Sequence, residues 1–181
     1  IIATPHFELA KILLEAHKQK KHILVEKPGA KNFSEIKKII KKNNNNRIKK
    51  RVGYNHRYHS SILKAKKIIN KGLIGKLMYI RARYGHGGRI GYDKEWRSKK
   101  SLSGGGELLD QGSHLIDLSR MFLGEFKKIS GFVNTFFWKM NVEDNAFLTL
   151  ITNKKKVAFL HASWTEWKNM FSFEIFGTKG K

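Results

Sequence analysis

His22-Ile23-Leu24-Val25-Glu26-Lys27-Pro28-Gly29 is the stretch on which the fold reading turns. Its apolar run is short, carries no polar alternation and is closed by Pro-Gly, so it reads as a strand buried on both faces rather than as a helix. Working outward, Ile1-Ile2-Ala3-Thr4-Pro5 reads as the end of another buried strand. Between the two, Leu9, Ile12, Leu13 and Ala16 recur at helical spacing over about 7–19. Downstream, Ser34 offers an N-cap for a helix to about residue 42 with Ile36, Ile39 and Ile40 on one face. The asparagine run 43–46 reads as a loop and 48–54 as a third strand. Strand, helix, strand, helix, strand is the order of a parallel sheet covered by helices, here the second half of a doubly wound unit over 1–54.

Beyond Tyr54 the rhythm changes. A helix is predicted over about 61–70, stopped by Gly72, and the alternation of 77–84 predicts a strand. A basic, aromatic, glycine-rich loop leads to Gly104-Gly105-Gly106 and a helix over about 108–122. Strands follow near 127–138, 145–152, 156–163 and 170–176, with Asn153-Lys154-Lys155 as a hairpin turn. Successive strands on short links predict an antiparallel meander packed on the helices, over 55–181.

Composition bounds the function. The 181 residues include twelve Phe, five Tyr and four Trp, enough for a packed core. Cysteine is absent, which excludes disulfides, thiolate metal sites and Cys nucleophiles. No apolar run approaches the length of a membrane span, and a cytoplasmic protein without a membrane partner is expected. The net charge of +23 would suit a polyanion. However, the basic residues are spread along the whole chain and accompany many Ile and Asn, as compositional drift produces. No specific nucleic-acid partner is expected. An opening on Ile1 and a close in mid-turn at Gly177-Thr178-Lys179-Gly180-Lys181 predict a piece of a longer protein.

Three clusters carry chemistry. Lys27 follows a buried strand at the end where doubly wound folds bind ligands. There an ammonium can donate to a hydroxyl and stabilise alkoxide charge, although one lysine in a lysine-rich chain is by itself an ordinary surface residue. Asp110 and His114, four apart, share a helix face, and an imidazole beside a carboxylate suits proton transfer with an alcohol. The same spacing also fits an ordinary capped helix, or a metal held by Glu107, Asp110 and His114. The metal reading lacks a second histidine on the helix. Gly112 within the helix costs about 1 kcal/mol relative to Ala and points to close packing. In Gly53-Tyr54-Asn55-His56-Arg57, at the junction, Asn55 and Arg57 are candidate ligands of substrate oxygens.

Taken together, Ala3-Thr4-Pro5, Glu26-Lys27-Pro28, Gly53-Tyr54-Asn55-His56-Arg57, the Gly104-Gly105-Gly106 to His114 motif and Phe173-Glu174-Ile175-Phe176-Gly177 resemble the glucose–fructose oxidoreductase and inositol dehydrogenase family, Gfo/Idh/MocA. The resemblance implies α/β plus α+β: the C-terminal half of a Rossmann domain, then an α/β domain with a large open, mostly antiparallel sheet. It implies NAD or NADP, and hydride transfer to or from a secondary alcohol of a sugar, nucleotide sugar or cyclitol. By position, Lys27, Asp110 and His114 would be catalytic, and Thr4, Pro5, Glu26 and Lys27 would line the cofactor. Asn55, Arg57, Trp96, Arg97 and Asp110 would face substrate. The open sheet implies a homo-oligomer. The sequence departs from the family where a histidine common after Thr-Pro is replaced by Leu9, and it shows neither the glycine-rich phosphate loop nor the last strands. The chain alone is therefore expected to be inactive. A non-catalytic relative that binds sugar or cofactor is the alternative. Arg81, Arg83, Arg89 and Arg97 lean the substrate toward a phosphate-bearing sugar.

Overall fold

Helix and strand alternate through the first part of the computed structural model, which describes residues 1–42 and 47–181. The 43–46 loop expectation lies outside the described residues. Helix α1 (His6–Lys18) starts directly after Pro5, and strand β1 (Ile23–Val25) follows it. Helix α2 (Phe33–Lys41) leads to β2 (Lys50–Val52), which pairs with β1 in parallel, Val25 opposite Val52. Ile2 bridges Val25 in parallel, so the first apolar segment lies beside β1, but as a single bridge rather than the strand its pattern predicts. Ile2, Leu9, Leu13, Ile23 and Val25 form one core cluster, with Leu9 wholly buried. Each such side chain contributes about 1.5–3 kcal/mol on leaving water.

Three expectations are corrected here. The N-cap of α2 is Asn32, whose side-chain Oδ1 accepts from the Glu35 N–H at 2.9 Å. Ser34 lies inside the first turn and donates to Asn32 instead. Ile40 stays exposed, because only Ile39 of that face reaches the core cluster. Leu24 is also exposed, since the helices pack on the Ile23 and Val25 side of β1.

A 3-10 turn (Asn55–Tyr58) leads from β2 into α3 (Ser60–Asn70) and then β3 (Leu77–Gly85). After the basic loop come the short α4 (Lys100–Ser103), a π-helical turn (Leu108–Gly112) and α5 (Ser113–Leu123). Strands β4 (Phe126–Asn134), β5 (Asn145–Thr152), β6 (Val157–Ser163) and β7 (Met170–Gly177) complete a five-stranded sheet. The hairpin turn after Thr152 is where it was expected, with Lys155 N–H donating to Thr152 O at 3.0 Å. Strand β4 ends four residues before the expected limit. The buried Asp144 carboxylate takes the N–H groups of Phe136, Phe137 and Trp138, which removes them from the ladder.

The sheet order is β4-β5-β6-β3-β7, with β3 parallel to β6 and every other pair antiparallel. The meander therefore holds for β4 to β6 and fails for β7. Ile80 and Ala82 of β3 are fully buried and need covered edges on both sides. Residues 164–169 cross the end of β3, a step of two strand spacings or about 10 Å, and β7 closes its far edge. One sheet face, with Ile80, Leu148, Leu150, Leu160 and Ile175, packs on Leu115 and Leu123 of α5 and on α3. The other face is open.

Candidate functional site

Val25 ends β1, and the turn that follows is held by Glu26 N–H to Ile2 O at 2.9 Å and Gly29 N–H to Glu26 O at 2.9 Å. This turn aims Lys27 at the start of the α5 region. Its Nζ donates to the Asp110 backbone carbonyl at 2.9 Å and also to the Asp110 carboxylate. Residues 83 positions apart in the chain are thereby joined. Gly104 takes a left-handed conformation (φ +88°) with its Cα side against the Lys31 carbonyl, where a Cβ would stand 2.1 Å away. What the glycine run approaches here is neighbouring backbone.

The 108–112 segment was expected as plain α-helix. It is instead a π turn, whose wider i→i+5 bonding is a local distortion that recurs at functional sites. It still delivers both side chains to the Lys27 neighbourhood. Gly112 is buried, and a Cβ on it would lie 3.4 Å from the Ala162 Cβ, so this is where helix meets β6.

The electrostatics are distinctive. Burial by itself pushes the Asp110 carboxyl up, but Lys27, then Arg97 and His6, outweigh it and hold it below the usual carboxylate range. Arg97 Nε stands 3.4 Å from the Asp110 carboxylate, and its guanidinium lies over the Trp96 ring at 4.5 Å. His114 is pushed down to about 3 by burial, with the His56 and Lys27 charges adding to it and Asp110 opposing. Its Nδ1 is buried without a hydrogen-bond partner. Glu107 is completely buried, and its carboxyl is raised well above the ordinary range, by burial first and then by Asp110. It enters no metal cluster, since among the described residues no three His, Asp or Glu groups gather to hold an ion.

Thr4 and Pro5 lie between Ile2 and α1, half-buried, and the Thr4 hydroxyl has no partner. Glu26 is exposed and accepts from the Lys27 N–H at 3.2 Å. Trp96 packs edge-on against His6, centroids 4.8 Å apart. Asn55 is exposed. Arg57 does not join the Lys27 group, because its Nε donates to Asp117 Oδ2 at 2.6 Å and a second nitrogen to Oδ1 at 2.5 Å. That fork ties the junction to α5.

His6 and Tyr84 of this neighbourhood were not singled out from sequence, and Tyr54 and His56 entered only as members of the junction motif. The His6 Nδ1–H donates to Ser103 O at 2.9 Å beside Asp110 and Lys27, while Leu9, read as the departure, is core. His56 stacks on His114, and Tyr54 and Tyr84 meet the His114 ring edge-on at 5.8 and 6.1 Å. His6 was legible as the residue after Thr-Pro at a strand end. The aromatic packing had no such signal.

A parallel strand end that delivers a lysine onto an Asp–His helix, backed by a mixed open sheet, places the chain among α/β proteins whose site sits between two structural parts. Residues 62–181 match the GFO/IDH/MocA C-terminal domain, and the chain belongs to that family. It is 33% identical over 136 residues to levoglucosan dehydrogenase of Pseudarthrobacter phenanthrenivorans, covering 74% of this chain and 35% of that one. It is 27% identical to the uncharacterized oxidoreductase YrbE of Bacillus subtilis, covering 99% and 52%. The solved structure of levoglucosan dehydrogenase with NADH and levoglucosan superposes with a TM-score of 0.90 at 29% identity, covering 98% of this chain and 51% of the other. The chain thus spans between 35% and 52% of the length of these curated relatives.

Proposed function

We propose that the protein carrying this chain is an NAD(P)-dependent oxidoreductase that moves a hydride between nicotinamide and a secondary alcohol carbon of a sugar, nucleotide sugar or cyclitol. The observation that carries the reading is the joining of Lys27 to Asp110 beside a neutral His114. Similarity to a levoglucosan dehydrogenase solved with NADH and levoglucosan supports it. Residues 1–54 serve as the cofactor-side unit and 55–181 as the substrate-side unit.

The strand-end residues fit a dinucleotide. The Thr4 hydroxyl is buried without a partner, and it lies with Pro5, Glu26 and Lys27 where parallel strands end, the place such ligands occupy. These four residues would hold the nicotinamide half, which supplies a hydride acceptor at C4. Lys27 donates a hydrogen bond to the substrate oxygen and stabilises the negative charge that develops there. Asp110 holds that ammonium in place and accepts from a neighbouring hydroxyl. His114, pushed down to about 3 and so neutral near pH 7, accepts the hydroxyl proton as the carbon loses hydride, and returns it in the reverse direction. Trp96 and Arg97 form the substrate wall, with Asn55 at its junction edge and Arg57 held back from it by Asp117.

The open sheet face carries Tyr79, Phe132 and Phe159 exposed beside Arg81 and Glu174, which supports a homo-oligomer through that face. Among the described residues no helix is long and apolar enough to cross a membrane.

The test is a panel of sugars, sugar phosphates and cyclitols with the full-length protein, followed by NAD(P)H absorbance. Turnover is expected with at least one member, and His114→Ala lowers it by about a hundredfold or more. Binding of sugar and nucleotide without any turnover would overturn the reading in favour of a non-catalytic relative.

A further inference from the structure

A histidine that moves protons is ordinarily oriented through its second ring nitrogen, held by a carboxylate or a carbonyl. His114 has no such partner, since its Nδ1 is buried and unbonded. Something else must set the plane of the ring. The group that covers it is His56, with ring centroids 4.0 Å apart and planes inclined by 15°.

His56 is itself held by aromatic rings. The chain leaves β2 through Tyr54 and turns tightly over Asn55–Tyr58, which brings His56 back over the start of α5. Its ring lies 5.1 Å from Tyr84 of β3, 4.9 Å from His59 and 5.5 Å, edge-on, from Phe171 of β7. Its Nδ1 too is buried without a partner. Neither ring is anchored through Nδ1, and ring contacts hold the pair.

We propose that His56 is the positioning residue of His114: it sets the plane of that imidazole by stacking and, as a second ionisable ring in contact, restricts the pair to a single proton. Two imidazolium rings at this separation repel strongly where water is excluded. The other charged or titratable groups facing the pair are Lys27 and Asp110 from the strand end and the π turn, His59 beyond the 3-10 turn, Tyr54 at the end of β2 and Tyr84 of β3. Lys27 and Asp110 carry opposite charges and act on His114 in opposite directions. Among the charged neighbours, His56 weighs most on His114, ahead of Lys27. The kinetic part of this inference rests on the role proposed for His114.

His56→Phe keeps a flat ring in the cage and removes its charge, whereas His56→Ala removes both. The imidazole nitrogens of His114 are followed by NMR against pH in 15N-labelled protein, beside kcat and KM profiles for a substrate found in the panel. In His56→Phe the His114 titration and the acid limb of kcat/KM rise together by about one pH unit, with kcat at high pH kept within about threefold. In His56→Ala kcat falls by about tenfold or more at unchanged KM, a loss of orientation, which the Phe variant rescues. A His114 titration identical in all three proteins, or equal loss of kcat in Phe and Ala variants, would overturn the proposal. Should no panel member turn over, the oxidoreductase reading fails, and the NMR titration still decides the pairing of the two rings.

Discussion

His114 makes the protein sensitive to acid, and the size of the effect can be worked out. An unfolded histidine titrates near 6.5, whereas in the fold this ring is pushed down to about 3 by burial and its cationic neighbours. Between those values the unfolded chain binds a proton that the folded chain refuses, so stability rises with pH across the window. The contribution is fully present above the unfolded value and is lost as pH falls toward the folded one. Each pH unit corresponds to about 1.4 kcal/mol, which gives about 3 kcal/mol between pH 7.5 and pH 4.5. That is a large share of a typical folding free energy of roughly 5–15 kcal/mol. Other groups act in the same window. Burial lowers His6, His56, His86 and His161 with the same sign. Glu107, raised by burial, has the opposite sign, because the fold keeps its proton where the unfolded chain has released it. Comparison with His114→Gln separates the one term from the rest. Urea unfolding of both proteins in unit pH steps is expected to show the wild type losing about 3 kcal/mol more than the variant on acidification. Parallel curves, within about 0.5 kcal/mol, would show that His114 titrates normally in the fold and would refute the argument.

Lys27→Met leaves the Asp110 carboxylate buried with Arg97 as its remaining cation at 3.4 Å, and a loss of about 3 kcal/mol is expected in urea unfolding. The same variant raises the pH at which His114 titrates, since a cation that disfavours its protonation is gone while Asp110, which favours it, stays; NMR titration reads the shift. Gly106→Ala places a Cβ 2.0 Å from the Glu143 carbonyl oxygen, and because backbone cannot give way cheaply a destabilisation of about 3 kcal/mol is expected by thermal unfolding.

Much of the architecture was readable from local pattern, because burial periodicity and turn residues act over a few positions. The parallel β1–β2 pair, the helix stopped before Gly72, the hairpin at 153–155 and the close packing implied by Gly112 all belong to this class. The Lys27, Asp110 and His114 set was proposed from motif types, their order and the family resemblance they carry. Lys27 meets Asp110 through a hydrogen bond across 83 residues, which no local pattern encodes.

Tertiary structure alone decided the rest. The sequence defined β3 as a strand, but its place between β6 and β7 depends on which edges remain uncovered once all five strands exist. The π turn is a choice of backbone partner, and helix-forming residues leave that choice open. Arg57 read as a ligand for substrate because its charge was visible, while Asp117, which takes that charge, is 60 residues away. His56 read as one polar residue in a junction motif, and it became half of a stacked pair only when β2, β3, β7 and α5 enclosed it. Residue types and spacing state which groups are present. Proton affinity and orientation come from desolvation and contact, and these exist only after distant segments have packed.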